Sequence, residues 1–312
     1  MSCVLKACFS MKYKIIAFSI TFMVKSLLYL AKIKNTDCMS DKKFIVPHDF
    51  SIVGDTALNH AIKVAKTVGG TVHLMHVVAK PTQVEEAHNK LAQIASEATK
   101  ADNVKVELIV RIGNIFEDIA EYAEEIKASL VFMGTHGARG WQKISGSHAM
   151  KVIESTFTPF VVVQQRKIKE TGYDDIVVPL DLSKNTQQKL RIVSEMAQYF
   201  KSKAHIVMPK ASDSEDKIDL NLTLAFAKKH MAEHKIDYVV ETLDGDFAKE
   251  IIRYAVTHEC DLIAIVNNSV ERVGGNLFAS SSEQALITND AQIPVVLLNP
   301  KDLTTGGSVF FN

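Results

Sequence analysis

The stretch Phe-Ile-Val-Pro-His-Asp-Phe-Ser at residues 44–51 recurs as Ile-Val-Val-Pro-Leu-Asp-Leu-Ser at residues 176–183. Each copy is a short apolar run that ends in Pro-x-Asp-x-Ser. The match continues at the same offset, where Gly113 corresponds to Gly245. A repeat of about 130 residues has the size of a whole domain, since solenoid units are much shorter. We therefore expect two copies of one domain in tandem.

The composition limits the class of protein. The chain has 312 residues and is 47% hydrophobic, which is enough for two ordinary cores. Its formal net charge is zero, but outside residues 1–38 it carries 30 basic and 35 acidic residues, and this mildly acidic body gives no basic surface for nucleic acid. Three of its four cysteines lie within residues 1–38, and Cys260 alone lies in the repeats. This distribution is not a disulfide framework, and it indicates a reducing compartment such as the cytoplasm.

The first 39 residues have no counterpart in the second copy. Residues 13–31 are mostly apolar and nearly long enough to span a bilayer, but Lys25 lies in their middle. This pattern is compatible with a membrane anchor. It is also compatible with a start at Met39, since residues 40–43 lead directly into the first strand. A chain that begins at Met39 is expected to fold. The predicted organisation is an extension at 1–39, domains at 40–165 and 174–300, and a tail at 301–312.

Within each copy, apolar β-branched runs alternate with stretches of helical period. Continuous apolar runs are typical of strands covered on both faces, and strands linked by helices predict a parallel sheet. The fold class is therefore α/β, with two domains that each hold a five-stranded parallel sheet with helices on both faces. The predicted strands lie near 43–47, 71–78, 104–111, 129–134 and 160–164, then 175–179, 204–208, 236–242, 261–266 and 294–299. The predicted helices lie near 55–68, 83–101, 115–127 and 147–156, then 184–201, 213–233, 246–258 and 281–288.

A glycine-rich loop follows the fourth strand of the first copy. Gly134 and Gly137 would let the backbone approach a ligand or adopt positive φ. Gly146 and Ser147 open the next predicted helix, whose N-terminus favours an anion. The carboxyl ends of parallel strands are where ligands bind in open α/β sheets, and Asp49 follows the first strand at that edge. These features predict a phosphate site that is neither a P-loop nor a dinucleotide fingerprint.

With these motifs, the chain resembles a tandem universal stress protein over about residues 40–300. The family's pattern is a strand ending in Met, then G-x2-G-x9-G-(S/T), and here eight residues separate the second and third glycines. The resemblance implies a Rossmann-like fold that binds ATP with Mg²⁺. It also implies that the last strands of the two copies pair, as an intrachain form of the family's homodimer. The implied contacts are Asp49 and Val77 or Val78 on the adenine side, Met133 and Gly134 at the ribose, and Gly137, Gly146, Ser147 and His148 on the phosphates.

The second copy keeps Asp181 but lacks glycines that match Gly134 and Gly137. Its loop at 266–282 has Ser281-Ser282 at the place of Gly146-Ser147. The sequence therefore predicts one nucleotide site per chain, in the first copy.

Several candidate residues have a purely structural alternative. Asp49 and Asp181 could cap helices or brace the strand–helix turn. His73 and His76 point to opposite faces of a strand, so no metal pair is expected. His136 and His148 could reach a phosphate or simply be solvated, and Trp141 is more typical of a hydrophobic plug than of a base-stacking ring.

No nucleophile with an adjacent base, and no carboxylate pair, stands out near the predicted site. We therefore expect a non-enzymatic stress-response protein, in which ATP changes a surface for an unidentified protein partner. The alternative is a nucleotide-independent, chaperone-like scaffold of the same family, and weak ATP hydrolysis also stays open. A homodimer of the whole chain is compatible with either function.

Overall fold

The computed structural model describes residues 42–100, 103–135, 152–183, 185–267 and 281–300. Ten strands form one continuous sheet in the order β3-β2-β1-β4-β5-β10-β9-β6-β7-β8. The strands are β1 (Lys43–Pro47), β2 (Thr71–Val78), β3 (Lys105–Ile112), β4 (Leu130–Gly134), β5 (Phe160–Val163), β6 (Asp175–Pro179), β7 (Lys203–Pro209), β8 (Tyr238–Leu243), β9 (Leu262–Val266) and β10 (Val295–Leu298). The helices are α1 (Ile52–Val68), α2 (Val84–Ala98), α3 (Ile115–Glu125), α4 (Leu190–Phe200), α5 (Ser214–Glu233), α6 (Phe247–Thr257) and α7 (Ser281–Ile287). Short 3-10 turns lie at Pro81–Gln83 and Thr186–Lys189.

Each half of the sheet is parallel and has five strands, as the sequence predicts. The halves meet where β5 and β10 pair antiparallel, with Val161 opposite Val296. The predicted pairing of the last strands is therefore confirmed. The N–H and C=O groups of β5 and β10 that face each other bond across the seam, so the two halves share one hydrogen-bonded sheet.

Helices cover both faces of the sheet. Alternate residues of β1 point to opposite faces, so Phe44 and Val46 join one core and Ile45 joins the other. Helices α1, α2, α4 and α5 contribute to the first core, and α3, α6 and α7 contribute to the second. This two-sided burial explains why the strands read as continuous apolar runs.

A buried polar contact ties α1 to the linker between the halves. His60 Nδ1 lies 2.7 Å from the Tyr173 hydroxyl, and His60 Nε2 lies 2.9 Å from the Arg166 carbonyl oxygen. Burial lowers the pKa of His60 to about 4, so the ring is neutral at physiological pH. A neutral imidazole donates from one nitrogen and accepts at the other, and both nitrogens have a partner here.

Tyr173→Phe is expected to lower the free energy of unfolding by about 1–3 kcal/mol, because it leaves His60 Nδ1 buried without a partner. The ring contact of Tyr173 with Phe200 would persist, with centroids 5.5 Å apart. Urea unfolding measures the change, and Tyr238→Phe at a more exposed site is the control. Equal stability of the two variants would contradict the assigned role.

Candidate functional site

The carboxyl ends of β1, β2 and β4 meet at one edge of the first half. Strand β1 lies between β2 and β4, with Pro47 opposite Met75 and Ile45 opposite Val131. Asp49 follows β1, and Gly134 ends β4. The predicted adenine and ribose residues are therefore brought to the same edge of the sheet, where open α/β sheets bind ligands.

The loop after β1 is a tight turn built on two side chains. Phe50 has a left-handed φ of 63°, and its backbone N–H donates to His48 Nδ1 at 3.0 Å. Ser51 then caps α1, since its hydroxyl accepts from the Gly54 N–H at 3.3 Å. This turn fixes the direction in which Asp49 leaves the sheet.

Asp49 is exposed and braces this turn. Its Oδ1 accepts from the Ser51 N–H at 3.1 Å and also from the Ser51 hydroxyl. Asp181 does the same in the second half, where its Oδ1 accepts from the Ser183 N–H at 3.0 Å. The turn-bracing role is thus common to both copies, while a contact of Asp49 with adenine stays a prediction.

Gly134 has a packing role that the sequence analysis did not identify. A Cβ at this position would lie 2.4 Å from the carbonyl oxygen of Val53 and 3.0 Å from the backbone nitrogen of Gly54. Its φ is not positive. The absence of a side chain therefore lets the first turn of α1 rest on the end of β4, and this need for glycine is independent of any ligand.

The other predicted contacts differ in exposure. Val78 and Met133 are buried, whereas Val77 is half-buried. Val78 and Met133 can therefore offer a ligand backbone atoms and little side-chain surface. The predicted phosphate residues Gly137, Gly146, Ser147 and His148 lie outside the described residues, as do His136 and Trp141.

His48 is a site residue that the sequence analysis missed. Its ring is buried, with Nε2 3.2 Å from Asp55 Oδ1, and its carbonyl oxygen lies 2.6 Å from His76 Nδ1. Burial lowers the pKa of His48, which favours the neutral ring. A comparison of the two copies could have identified His48, because the second copy has Leu180 at the equivalent position.

His73 and His76 have structural partners. His73 Nδ1 lies 2.8 Å from the Tyr122 hydroxyl, and the equivalent His205 Nδ1 lies 3.0 Å from the Tyr254 hydroxyl. Within the described residues, no three His, Cys, Asp or Glu side chains are grouped so that they could hold a metal ion. The tyrosines tie α3 and α6 to the sheet in the same way in both halves.

The corresponding edge of the second half is built differently. Val266, buried, stands at the position of Gly134. The helix predicted from 184 begins only at Leu190, after the 3-10 turn Thr186–Lys189, which packs against β9. A valine at this position leaves no room for a helical turn like the start of α1, which explains the later start of α4.

Polar side chains are buried at this second edge. Lys189 is only 2% exposed, and Thr186, Asn267 and Glu283 are also buried. Burial lowers the pKa of Lys189 to about 8, although the carboxylates of Asp181 and Glu283 act in the opposite direction. Side chains of the protein itself therefore occupy the space at the carboxyl end of β9.

A cleft of about 580 Å³ lies far from Asp49, at the amino ends of the strands of the first half. Its lining includes Lys42, Ser129 and Pro159, together with Arg191 and Asn299 of the second half. Two of its cations pair with Glu195, since Lys42 Nζ lies 3.0 Å from Glu195 Oε2 and Arg191 Nε lies 3.3 Å from Glu195 Oε1. Position and chemistry separate this cleft from the nucleotide site predicted from the sequence.

Among the described residues, no helix is both long and apolar enough to cross a bilayer. The apolar stretch at 13–31 lies outside those residues.

Comparison with known proteins identifies relatives of both halves. The model of the universal stress protein family matches residues 41–164 and again residues 172–299. Universal stress protein MJ0531 of Methanocaldococcus jannaschii is 32% identical over 146 residues, which cover 40% of this chain and 84% of the relative. Universal stress protein MJ0577 of the same organism is 29% identical over 156 residues, which cover 40% of this chain and 96% of the relative.

A solved structure resembles the whole two-part fold. The crystal structure of a universal stress protein from Archaeoglobus fulgidus has a TM-score of 0.68 at 17% identity, and the match covers 85% of this chain and 98% of that one. At this level of identity the likeness concerns the arrangement of strands and helices.

Proposed function

Because the chain belongs to the universal stress protein family, we propose that it is a stress-response protein that binds one ATP per chain, with Mg²⁺, in its first half. The observation that carries this proposal is the contrast between the two sheet edges. Asp49 is exposed at the first edge, whereas buried side chains that include Lys189 occupy the second. We therefore assign the nucleotide to the first edge.

In the proposed complex, Asp49 and Val77 or Val78 lie on the adenine side, with Met133 and Gly134 at the ribose. The buried residues among them would contact the nucleotide through backbone atoms. These contacts depend on shape and hydrogen bonding rather than on the side chains. The helix that the sequence predicts from Ser147 would hold the phosphates, because free N–H groups and the helix dipole favour an anion at a helix N-terminus. Mg²⁺ would neutralise part of the phosphate charge.

Binding, rather than a chemical step, is the proposed activity. The exposed carboxylates of Asp49 and Asp55 near the described part of the site already have partners. Asp55 lies against His48, and both hydrogen bonds of Asp49 to Ser51 fall on one oxygen in a turn-bracing geometry. We propose that ATP occupancy alters a surface for a protein partner and that turnover is slow or absent. Phosphate release measured at saturating ATP tests this, and rapid steady-state release would overturn the non-enzymatic assignment.

Calorimetric titration with ATP and Mg²⁺ tests the site. We expect a stoichiometry near one and a loss of about 1–1.5 kcal/mol in binding free energy for Ser147→Ala, the value of one hydrogen bond. Asp49→Asn keeps the acceptor that braces the turn and removes the charge, so a loss of affinity would report contact with the ligand.

Asp181→Ala, at the equivalent position of the second half, is the matched control and should leave affinity unchanged. A stoichiometry near two, or wild-type affinity in Ser147→Ala, would contradict the assignment. If the wild type binds no adenine nucleotide, the nucleotide-independent scaffold becomes the better description of the protein.

A further inference from the structure

Helix α5 carries an apolar stripe on its outer face. Ile218, Leu222 and Phe226 are spaced by four residues and are 60%, 65% and 43% exposed. Residues four apart lie on one face of a helix, so the three side chains form one continuous strip. Exposed apolar residues on most protein surfaces are single and scattered, whereas these three large side chains form one strip.

The fold does not require this stripe. The other face of α5 already packs on the core through Leu220, Ala227 and Met231. Helix α2 occupies the equivalent place in the first half, and none of its described residues is a strongly exposed large hydrophobic. The two copies have therefore diverged at this helix, which indicates a role specific to the second half.

The charged residues at the two ends of α5 have opposite signs, so two copies of the helix can pair their charges. Glu215 and Asp216 lie in the first turn of α5, and the exposed Lys228 and Lys229 lie near its end. If a second α5 lies antiparallel across a twofold axis at Leu222, Ile218 meets Phe226 of the copy. The same operation sets Glu215 against Lys229, and at 100° per residue both of these side chains lie on the face of the stripe. A parallel arrangement would instead set acid against acid, which is unfavourable.

We propose that α5 is a homodimer interface in which two copies of the chain pack antiparallel about Leu222. An isologous contact needs a self-complementary surface, and both the stripe and its flanking charges meet that condition. The β5–β10 seam cannot serve this purpose, because each of these strands is already paired with the other inside one chain. The interface is independent of the nucleotide site.

A cross-link at the axis tests the geometry in the full-length chain. With Cys3, Cys8 and Cys38 replaced by serine, Leu222→Cys should form an interchain disulfide on mild oxidation, since the twofold axis brings the two copies of this position together. Asn221→Cys is the matched control: the residue is exposed on the same helix but lies about 100° around it. Equal cross-linking of both variants, or none for Leu222→Cys, would overturn the proposal.

Sedimentation of the otherwise unmodified chain gives a second readout. Leu222→Asp should weaken dimerisation at least tenfold, whereas Val256→Asp, at a 53% exposed site on α6, should not. Lys229→Glu should also weaken the dimer, and the double variant Glu215→Lys with Lys229→Glu should restore it. A monomeric wild type, or a dimer that is unaffected by Leu222→Asp, would refute the interface.

Discussion

Gly134→Ala is expected to lower the free energy of unfolding by about 3 kcal/mol, the upper end of the usual range for overpacking. One added methyl group would lie 2.4 Å from the Val53 carbonyl oxygen. Backbone atoms in the first turn of a helix cannot rotate away as a side chain can. The strain must then displace α1 or fray its first turn. Urea unfolding gives the change in free energy, and far-ultraviolet circular dichroism reports the loss of helix.

Gly69→Ala is the control for the Gly134 variant. A Cβ at Gly69 would meet nothing within 4 Å, although its φ of 73° is left-handed. The expected cost is only the about 1–2 kcal/mol of that backbone conformation. If Gly134→Ala is as stable as the wild type, the packing role assigned to Gly134 is wrong. If it is less stable, any loss of ATP binding in Gly134 variants reports a damaged fold and not a lost contact.

Lys189→Met is expected to remove a pH-dependent component of stability worth about 2–3 kcal/mol between pH 8 and pH 10. In the folded protein the pKa of Lys189 falls from 10.5 to about 8 because the ammonium is buried. Between these values the unfolded chain binds the proton and the folded chain does not. Stability therefore rises with pH in this window, by about 1.4 kcal/mol per pKa unit. Below pH 8 the cost of burying the charge is fully present.

The measurement is the difference between wild type and Lys189→Met in urea unfolding at pH 8, 9 and 10. Burial raises the pKa of Cys260 from 9.0 to about 12, which lowers stability as pH rises above about 9. Cys260 is present in both proteins, so its effect cancels in the difference. Lys189→Met should be the more stable protein at pH 8, and the gap should shrink towards pH 10. If the difference in unfolding free energy stays constant from pH 8 to pH 10, burial does not lower the pKa of Lys189 in the folded protein.

Much of the fold follows from local sequence. The repeat of 44–51 at 176–183, the continuous apolar runs and the helical periods between them predict two parallel five-stranded units, and the structure has them. These signals survive in sequence because a strand buried on both faces needs an unbroken apolar run. The pairing of β5 with β10 was expected only from the family resemblance, since it joins segments far apart in the chain.

The site was predicted only in outline. Asp49 and Gly134 do lie at the predicted edge of the sheet, but the sequence could not show that Gly134 makes room for α1. That role depends on a contact with Val53, some eighty residues earlier in the chain. The late start of α4 beside Val266 has the same origin, because helical period alone predicts a helix from 184.

The sequence by itself determined the tandem α/β architecture and the asymmetry between the glycine-rich and glycine-poor loops. Only the tertiary structure decided which side chains fill the second edge, and which apolar face of α5 is left outside. Apolar residues occur on both faces of that helix, so its period does not distinguish Leu222 from Ala227. Burial is a property of the neighbours that surround a side chain, and those neighbours are set by contacts across the fold.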